Sequence, residues 1–346
     1  MLSLSKIKSD GIKFGKISAI ALALLIGVLL LLKIIFALKE TFFPTPPPPP
    51  TVIFGVLPKI NFPQTTNSQG FNYTIDTLTG ELPSFNMQQK IYDMQGYSAN
   101  LLDLENVQNN VSAVGFIGGG KKLSERSYQW QSSDSYKTLT IDIVTNDFTI
   151  SSPFISTKSA INININTESQ AVDAADTFLQ TSSLMPSDID QLKTSTQLYS
   201  IQNGALIPAQ SLSNTGIIAV NYFQNDVNNL PIFYPSGTQS AMRLFVATRG
   251  SNPEVVDAHF YHQYLGENSG TYPIISITQA FDMLKKGQGY IASYDGLDKN
   301  ILIKDVVMGY FMGEDKQQYL EPVIVFEGDN NFLGYVPAVT AQWLSK

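Results

Sequence analysis

The 346-residue sequence has no cysteine, only two histidines and two tryptophans, and a charged fraction of 15%. The lack of cysteine excludes disulfides, thiolate metal sites, cysteine nucleophiles and a lipobox. The two histidines leave little scope for imidazole chemistry. His259 and His262 are three residues apart in a run flanked by Val255, Val256, Phe260 and Tyr261 that reads as a strand. Their side chains are therefore expected on opposite faces, not around one metal. With so little charge, the polar surface must come largely from Asn, Gln, Ser and Thr. What is abundant is apolar: 43% of residues, including 20 Phe and 16 Tyr, enough for a sizeable core. The length suggests roughly two or three domains.

Charge is unevenly placed within a net of −7. Residues 1–43 carry Lys6, Lys8, Lys13, Lys16, Lys33 and Lys39 against Asp10 and Glu40, leaving 16 basic and 27 acidic residues in the remainder, a net of −11. An acidic domain is a poor phosphate binder, so nucleic acid is not expected as a partner.

Ile17 to Leu38 is an apolar run, with Leu24 and Leu30 in its interior, interrupted only by Lys33. At about 1.5 Å per residue it can cross a ~30 Å hydrocarbon core. Lys33 lies close enough to the far end to snorkel to the headgroups. The preceding lysines and the positive-inside rule predict a cytoplasmic N-terminus over 1–16, a single transmembrane helix over 17–38 and an extracytoplasmic domain at the cell membrane. The rival reading is a cleaved signal peptide. It expects a shorter apolar region and a small-x-small site, for which Phe36-Ala37-Leu38-Lys39 is poor. Residues 39–51, with Pro44 and Pro46 to Pro50, read as a polyproline II spacer of about 20 Å.

Val52 to Pro63 reads as an extended segment on the domain surface. Beyond it an amphipathic helix followed by strands recurs, giving expected units over 52–160, 161–270 and 271–346. In the first, Leu104, Val107, Val111 and Val114 keep helical spacing within 98–114, and Leu139, Ile141 and Ile143 alternate as in a half-buried strand. In the second, Thr167 to Gln170 fits a capping box, and Ala171, Ala174, Ala175, Phe178 and Leu179 share a face. In the third, Ser276 to Gln279 is another capping box, Ile277, Ala280, Phe281 and Leu284 form a stripe, and Gly287 stops the helix. Gly328 to Asn331 reads as a turn between the last two strands.

The candidate chemistry is thin. Gly115 to Lys122 (GFIGGGKK) nearly matches a phosphate loop, but Lys122 replaces the hydroxyl residue and a helical pattern precedes it, so a flexible loop is the expectation. No G-x-S-x-G elbow is present. Glu321, Glu327 and Asp329 could suggest glycosidase carboxylates. Glu321 and Glu327 share a face by parity but lie about 20 Å apart along an extended strand, so a solvated edge or turn is expected. Asp295 and Asp298 read as turn residues, without the ligand ladder of a calcium loop. Tyr310, Tyr319, Tyr335 and Trp343 form a candidate interaction surface for glycan or peptide, against the commoner reading of strand aromatics as core. No catalytic residue, metal or cofactor is expected.

Val306 to Phe311, Tyr319 to Gly328 and Tyr335 to Ala338, after the helix with Ala280, Leu284 and Gly287, resemble the YycH/YycI family of bacterial regulators. The resemblance implies an N-terminal membrane helix and extracytoplasmic PepSY-like units. The expected fold is thus α+β: a transmembrane helix followed by repeated helix-plus-antiparallel-meander (PepSY-like) units. It also implies a non-enzymatic regulatory or scaffolding role, with the lipid bilayer and another envelope protein, such as a sensor kinase, as partners. Alternatives are a peptidoglycan-binding protein, recognising cell-wall glycan or peptide, and an envelope hydrolase.

Overall fold

Strands dominate the architecture. In the computed structural model, which describes residues 22, 24–35, 48–63, 70–100, 102–156, 167–237, 239–249 and 252–345, the elements begin with β1 (Asn72–Ile75), β2 (Gln88–Met94) and α1 (Asp103–Ser112). Next come β3 (Phe116–Lys122), β4 (Ser127–Ser132), β5 (Thr138–Asp142), β6 (Phe148–Ser151) and α2 (Glu168–Thr181). After α2 lie β7 (Ser195–Gln202), β8 (Ala205–Pro208), β9 (Ile217–Tyr222), β10 (Ile232–Phe233), β11 (Met242–Arg249), β12 (Asn252–Phe260) and β13 (Leu265–Pro273). The last group is α3 (Ile277–Lys285), β14 (Tyr290–Ser293), β15 (Asn300–Phe311), β16 (Tyr319–Gly328) and β17 (Leu333–Pro337). The chain divides into two compact units, Met1–Pro49 and Pro50–Lys346.

The local signals have physical counterparts. The Thr167 side chain accepts a hydrogen bond from the Gln170 backbone N–H at the start of α2. Ser276 and Gln279 complete a reciprocal capping box on α3. The apolar stripes face inward: Val107 and Val111 of α1, Ala171, Ala175 and Leu179 of α2, and Ile277, Ala280 and Leu284 of α3 are buried.

Long-range pairing departs from the expected repeat. β3 to β6 join β7, β8, β9, β11 and β12 in one nine-stranded sheet, ordered β3-β4-β5-β6-β12-β11-β9-β7-β8. The seam is β6 against β12, with Ile150 opposite Ala258. The second sheet has eight strands, with β1-β15-β16-β17-β14 as its path. It recruits β1 and β2 from early in the chain, and β10 and β13 from its middle. The expectation of a transmembrane helix followed by repeated α+β units is therefore corrected to two large, mostly antiparallel sheets carrying few helices. Backbone groups at a strand edge need partners, and the nearest edge in space belongs to another unit.

The transmembrane part of that expectation is corrected too. Among the described residues no helix is long and apolar enough to cross a membrane. Leu24, Leu30 and Lys33 lie on the helical stretch 24–35 and are exposed. Ile17, Leu38, Lys39 and the four leading lysines lie outside the described residues.

Gly115 to Lys122 is also corrected. It contributes the edge strand β3, not a loop, and β4 follows it where a phosphate loop would need a helix. Its glycines serve a bulge: the β3–β4 register shifts between Ile117 and Lys121, and Gly120 has φ +72°.

The core has two sides in each sheet. α1 and α2 pack on one face of the nine-stranded sheet, with Leu139, Phe148, Leu244 and Phe260 beneath them. Tyr310 and Leu320 of the second sheet, with Met312 just beyond β15, belong to the same apolar cluster, which fastens the sheets together. α3 covers the other part of the second sheet, over Ile301, Met308, Ile324 and Phe326.

Candidate functional site

β16 alternates sharply. Ile324 and Phe326 point to the α3 side. Val323 and Val325 point to the opposite face, where Phe311 and Tyr335 pack with them under Ile60, Phe62 and Phe233. By the two-residue period of a strand, Glu321 and Glu327 share the face of Val323 and Val325, one at each end.

Glu321 is buried, at 4% exposure, which corrects its reading as a solvated edge. Its ladder partner on β15 is Phe311. Where the cover of residues 58–63 meets the β15–β16 hairpin, a cleft of about 430 Å³ opens, and Glu321 is part of its lining. Lys59 and Ile60 form one wall, with Phe311, Lys316 and Tyr319 on the hairpin side. The Glu321 carboxyl has no hydrogen bond or ion pair with any described residue. Burial pushes its pKa up to about 8, so at neutral pH it is largely protonated.

Glu314, on the hairpin, lines the same cleft but has the opposite disposition. Its Oε2 lies 3.3 Å from His259 Nε2, an ion-pair contact too poorly aligned to satisfy that nitrogen as a hydrogen bond. The His259 contact, against the opposing effect of burial, holds the Glu314 carboxyl below its usual range.

A second polar cluster anchors the hairpin from behind. His262 Nε2 meets Asp188 Oδ1 at 2.7 Å. Asp188 Oδ2 accepts from Gln224 Nε2 at 2.9 Å, and that same nitrogen donates to the Gln263 carbonyl at 3.1 Å. Gln263 Nε2 donates to the Asp315 carbonyl, and its Oε1 accepts from the Gln317 N–H, each at 3.0 Å. Burial alone would raise the Asp188 carboxyl, but the hydrogen bonds and charge of His262 and the bond from Gln224 hold it below the ordinary value. Among the described residues no serine or threonine hydroxyl hydrogen-bonds to His262. The arrangement ties His262 and Gln263 to the hairpin.

The remaining sequence candidates fall elsewhere. Tyr310 and Tyr335 are fully buried, donating to the carbonyls of Lys90 and Tyr234, so they present no interaction surface. Tyr319 is half-buried and reaches the cleft, whereas half-buried Trp343 packs edge-on against Tyr272. Glu327 is half-buried opposite Asp305 on β15, and burial followed by that like charge raises its carboxyl. Asp329 accepts from the Leu302 N–H, and Asp295 from the Asn331 side chain. The backbone carbonyl of Asp298 accepts from the Tyr294 hydroxyl.

Asp188, Gln224, Gln263 and Gln317 gave no local signal in the sequence. Glu321 did give one: it is a lone charge in the apolar run Leu320 to Phe326.

No family model matches the chain, and no curated protein matches it. Among solved structures, it is similar to an uncharacterized protein from Eubacterium rectale, with 12% identity, TM-score 0.38, and coverage of 74% of this chain and 84% of that one. It is also similar to the Bacillus megaterium YpeB C-terminal domain, with 9% identity, TM-score 0.34, and coverage of 71% and 95%. The YycH/YycI resemblance is not shown by these comparisons.

Proposed function

We propose that residues 50–346 act as a non-catalytic binding module of the cell envelope, regulatory or scaffolding in role, with the Glu321 cleft as its recognition site. One observation carries this reading: a glutamate at 4% exposure in the lining of an open cleft, its carboxyl with no partner among the described residues. Burying such a group costs stability, and an apolar residue of similar size would be favoured there on stability grounds alone. A ligand that supplies the missing partner offsets the cost. The His262–Asp188 cluster fixes the hairpin wall, so the cleft is ordered before anything binds.

The non-catalytic reading is supported by the engagement of Glu314 with His259 and by the place of Glu327 at the far end of β16. Placement at a membrane, with this module outside the cytoplasm, is supported by the apolar, lysine-led sequence of residues 1–38. The partner would be another envelope protein, of sensor-kinase type by the resemblance noted above.

A photo-crosslinking side chain at exposed Gln318, in living cells, tests the reading. The expected result is a discrete adduct with one envelope protein that disappears in the Glu321→Gln chain. No adduct, or one indifferent to that substitution, would sink the proposal. Co-sedimentation of the full chain with insoluble peptidoglycan, lost in the same variant, would replace the protein partner with the cell wall.

A further inference from the structure

Resting on the reading of the cleft as a recognition site, we infer that the group it recognises is a primary ammonium, which ion-pairs with the Glu321 carboxylate inside the cleft. The cleft lining offers one buried carboxyl, beside apolar and aromatic surface from Phe311, Tyr319 and Ile60. An ammonium is a compact charge on an aliphatic stem and suits one carboxyl beside such walls. A guanidinium presents five donors in a rigid fork and would leave several of them unmet. Lys59 and Lys316 are exposed members of the lining. Their like charge disfavours polybasic ligands and selects a single amine.

The charged and titratable groups around Glu321 come from each element packed on it. Lys59 stands on the covering segment; Glu314, Asp315 and Lys316 stand on the hairpin. The Tyr272 hydroxyl feels the Glu321 charge from β13, beyond the intervening β2. His259 is taken up by Glu314. Neither Lys59 nor Lys316 forms an ion pair with Glu321. The carboxyl, raised to about 8 by burial, is mainly neutral at pH 7. Binding RNH₃⁺ therefore converts Glu321–COOH to Glu321–COO⁻ paired with the unchanged ammonium, and the carboxyl proton leaves to solvent. Affinity rises with pH up to the point at which the ligand amine itself loses its charge.

A primary ammonium could be a lysine side chain or an amino sugar, and the experiment separates them. Full-length chain in mild detergent is titrated by calorimetry at pH 7 with an end-capped Ala-Lys-Ala peptide, with its Nε-acetyl-lysine form, with glucosamine and with N-acetylglucosamine. Each titration is run in two buffers of different ionisation enthalpy. One free amine is expected to bind at least about tenfold more tightly than its acetylated form and to release about one proton. Glu321→Gln should weaken that binding at least about tenfold without lowering the thermal midpoint, since the amide is isosteric and uncharged.

Equal binding of free and acetylated forms, or binding unchanged in Glu321→Gln, overturns the ammonium inference. So does failure of both amines to bind. The crosslink at Gln318 then decides separately whether the cleft still receives a partner, so the recognition-site reading and the ammonium reading fail independently.

Discussion

His262 Nε2 and Asp188 Oδ1 lie 2.7 Å apart and join segments 74 positions distant in the chain. His262 is 6% exposed, whereas the Asp188 side chain keeps 30%. Removing the carboxylate leaves the buried imidazole and Gln224 without their shared acceptor. Asp188→Ala is expected to cost about 3 kcal/mol in urea unfolding, and Asp188→Asn, which can still hydrogen-bond, clearly less. The Asp188 carboxyl is held below its reference value of 3.8 in the folded chain. Its contribution is therefore present above about pH 4 and is lost as pH falls through the folded value. The difference between wild type and Asp188→Ala should stay level from about pH 5 to 7 and shrink in acid. A difference that grows in acid would contradict the assignment.

Glu321 carries the opposite sign. Its folded value is raised from 4.5 to about 8 by burial. The folded chain therefore holds a proton that the unfolded chain has released between those limits, and stability falls as pH rises through them. Relative to Glu321→Gln, the wild type should lose at most about 3–4 kcal/mol between pH 5 and 8. Urea midpoints of the two chains across that range check this. A pH-independent difference would show that the carboxyl is solvated in the folded protein.

Gly120 has φ +72°, and a Cβ there would lie 2.7 Å from the Trp130 ring. Gly120→Ala should cost roughly 1–3 kcal/mol through left-handed strain and overpacking. Trp130 and Trp343 are the two tryptophans of the chain, so emission should shift to the red on loosening of β3 from β4. An unchanged thermal midpoint and emission maximum would remove the bulge from the account of this edge.

The legible parts of the fold share one property: the residues responsible lie within a turn or two of each other. Ser276 and Gln279 cap α3, Gly287 stops it with φ +70°, and Asn330 and Asn331 take left-handed conformations in the last hairpin. The alternation of Leu139 and Ile141 placed β5 for the same reason. The GFIGGGKK strand is not legible locally, because consecutive glycines read as a loop until Trp130 is seen lying against Gly120.

The cleft belongs to a different class. Glu321 looked like a solvated edge because its burial depends on Ile60 and Phe62 crossing the face of β16 from more than 250 positions upstream in the sequence. Nothing near Asp188 announces His262, and nothing near β6 announces β12.

The sequence by itself determined the acidic balance beyond residue 43, the absence of thiol chemistry, the caps and stops of the helices, and the faces of the strands. These depend on composition and on interactions between near neighbours. Only the tertiary structure decided that strands from separate stretches merge into two sheets, and that one glutamate lines a cleft without a partner. Strand pairing and burial arise from groups brought together across hundreds of residues, and the loop-closure entropy opposing such contacts depends only weakly on the separation. Local pattern therefore fixes which face of β16 Glu321 occupies but not what covers that face.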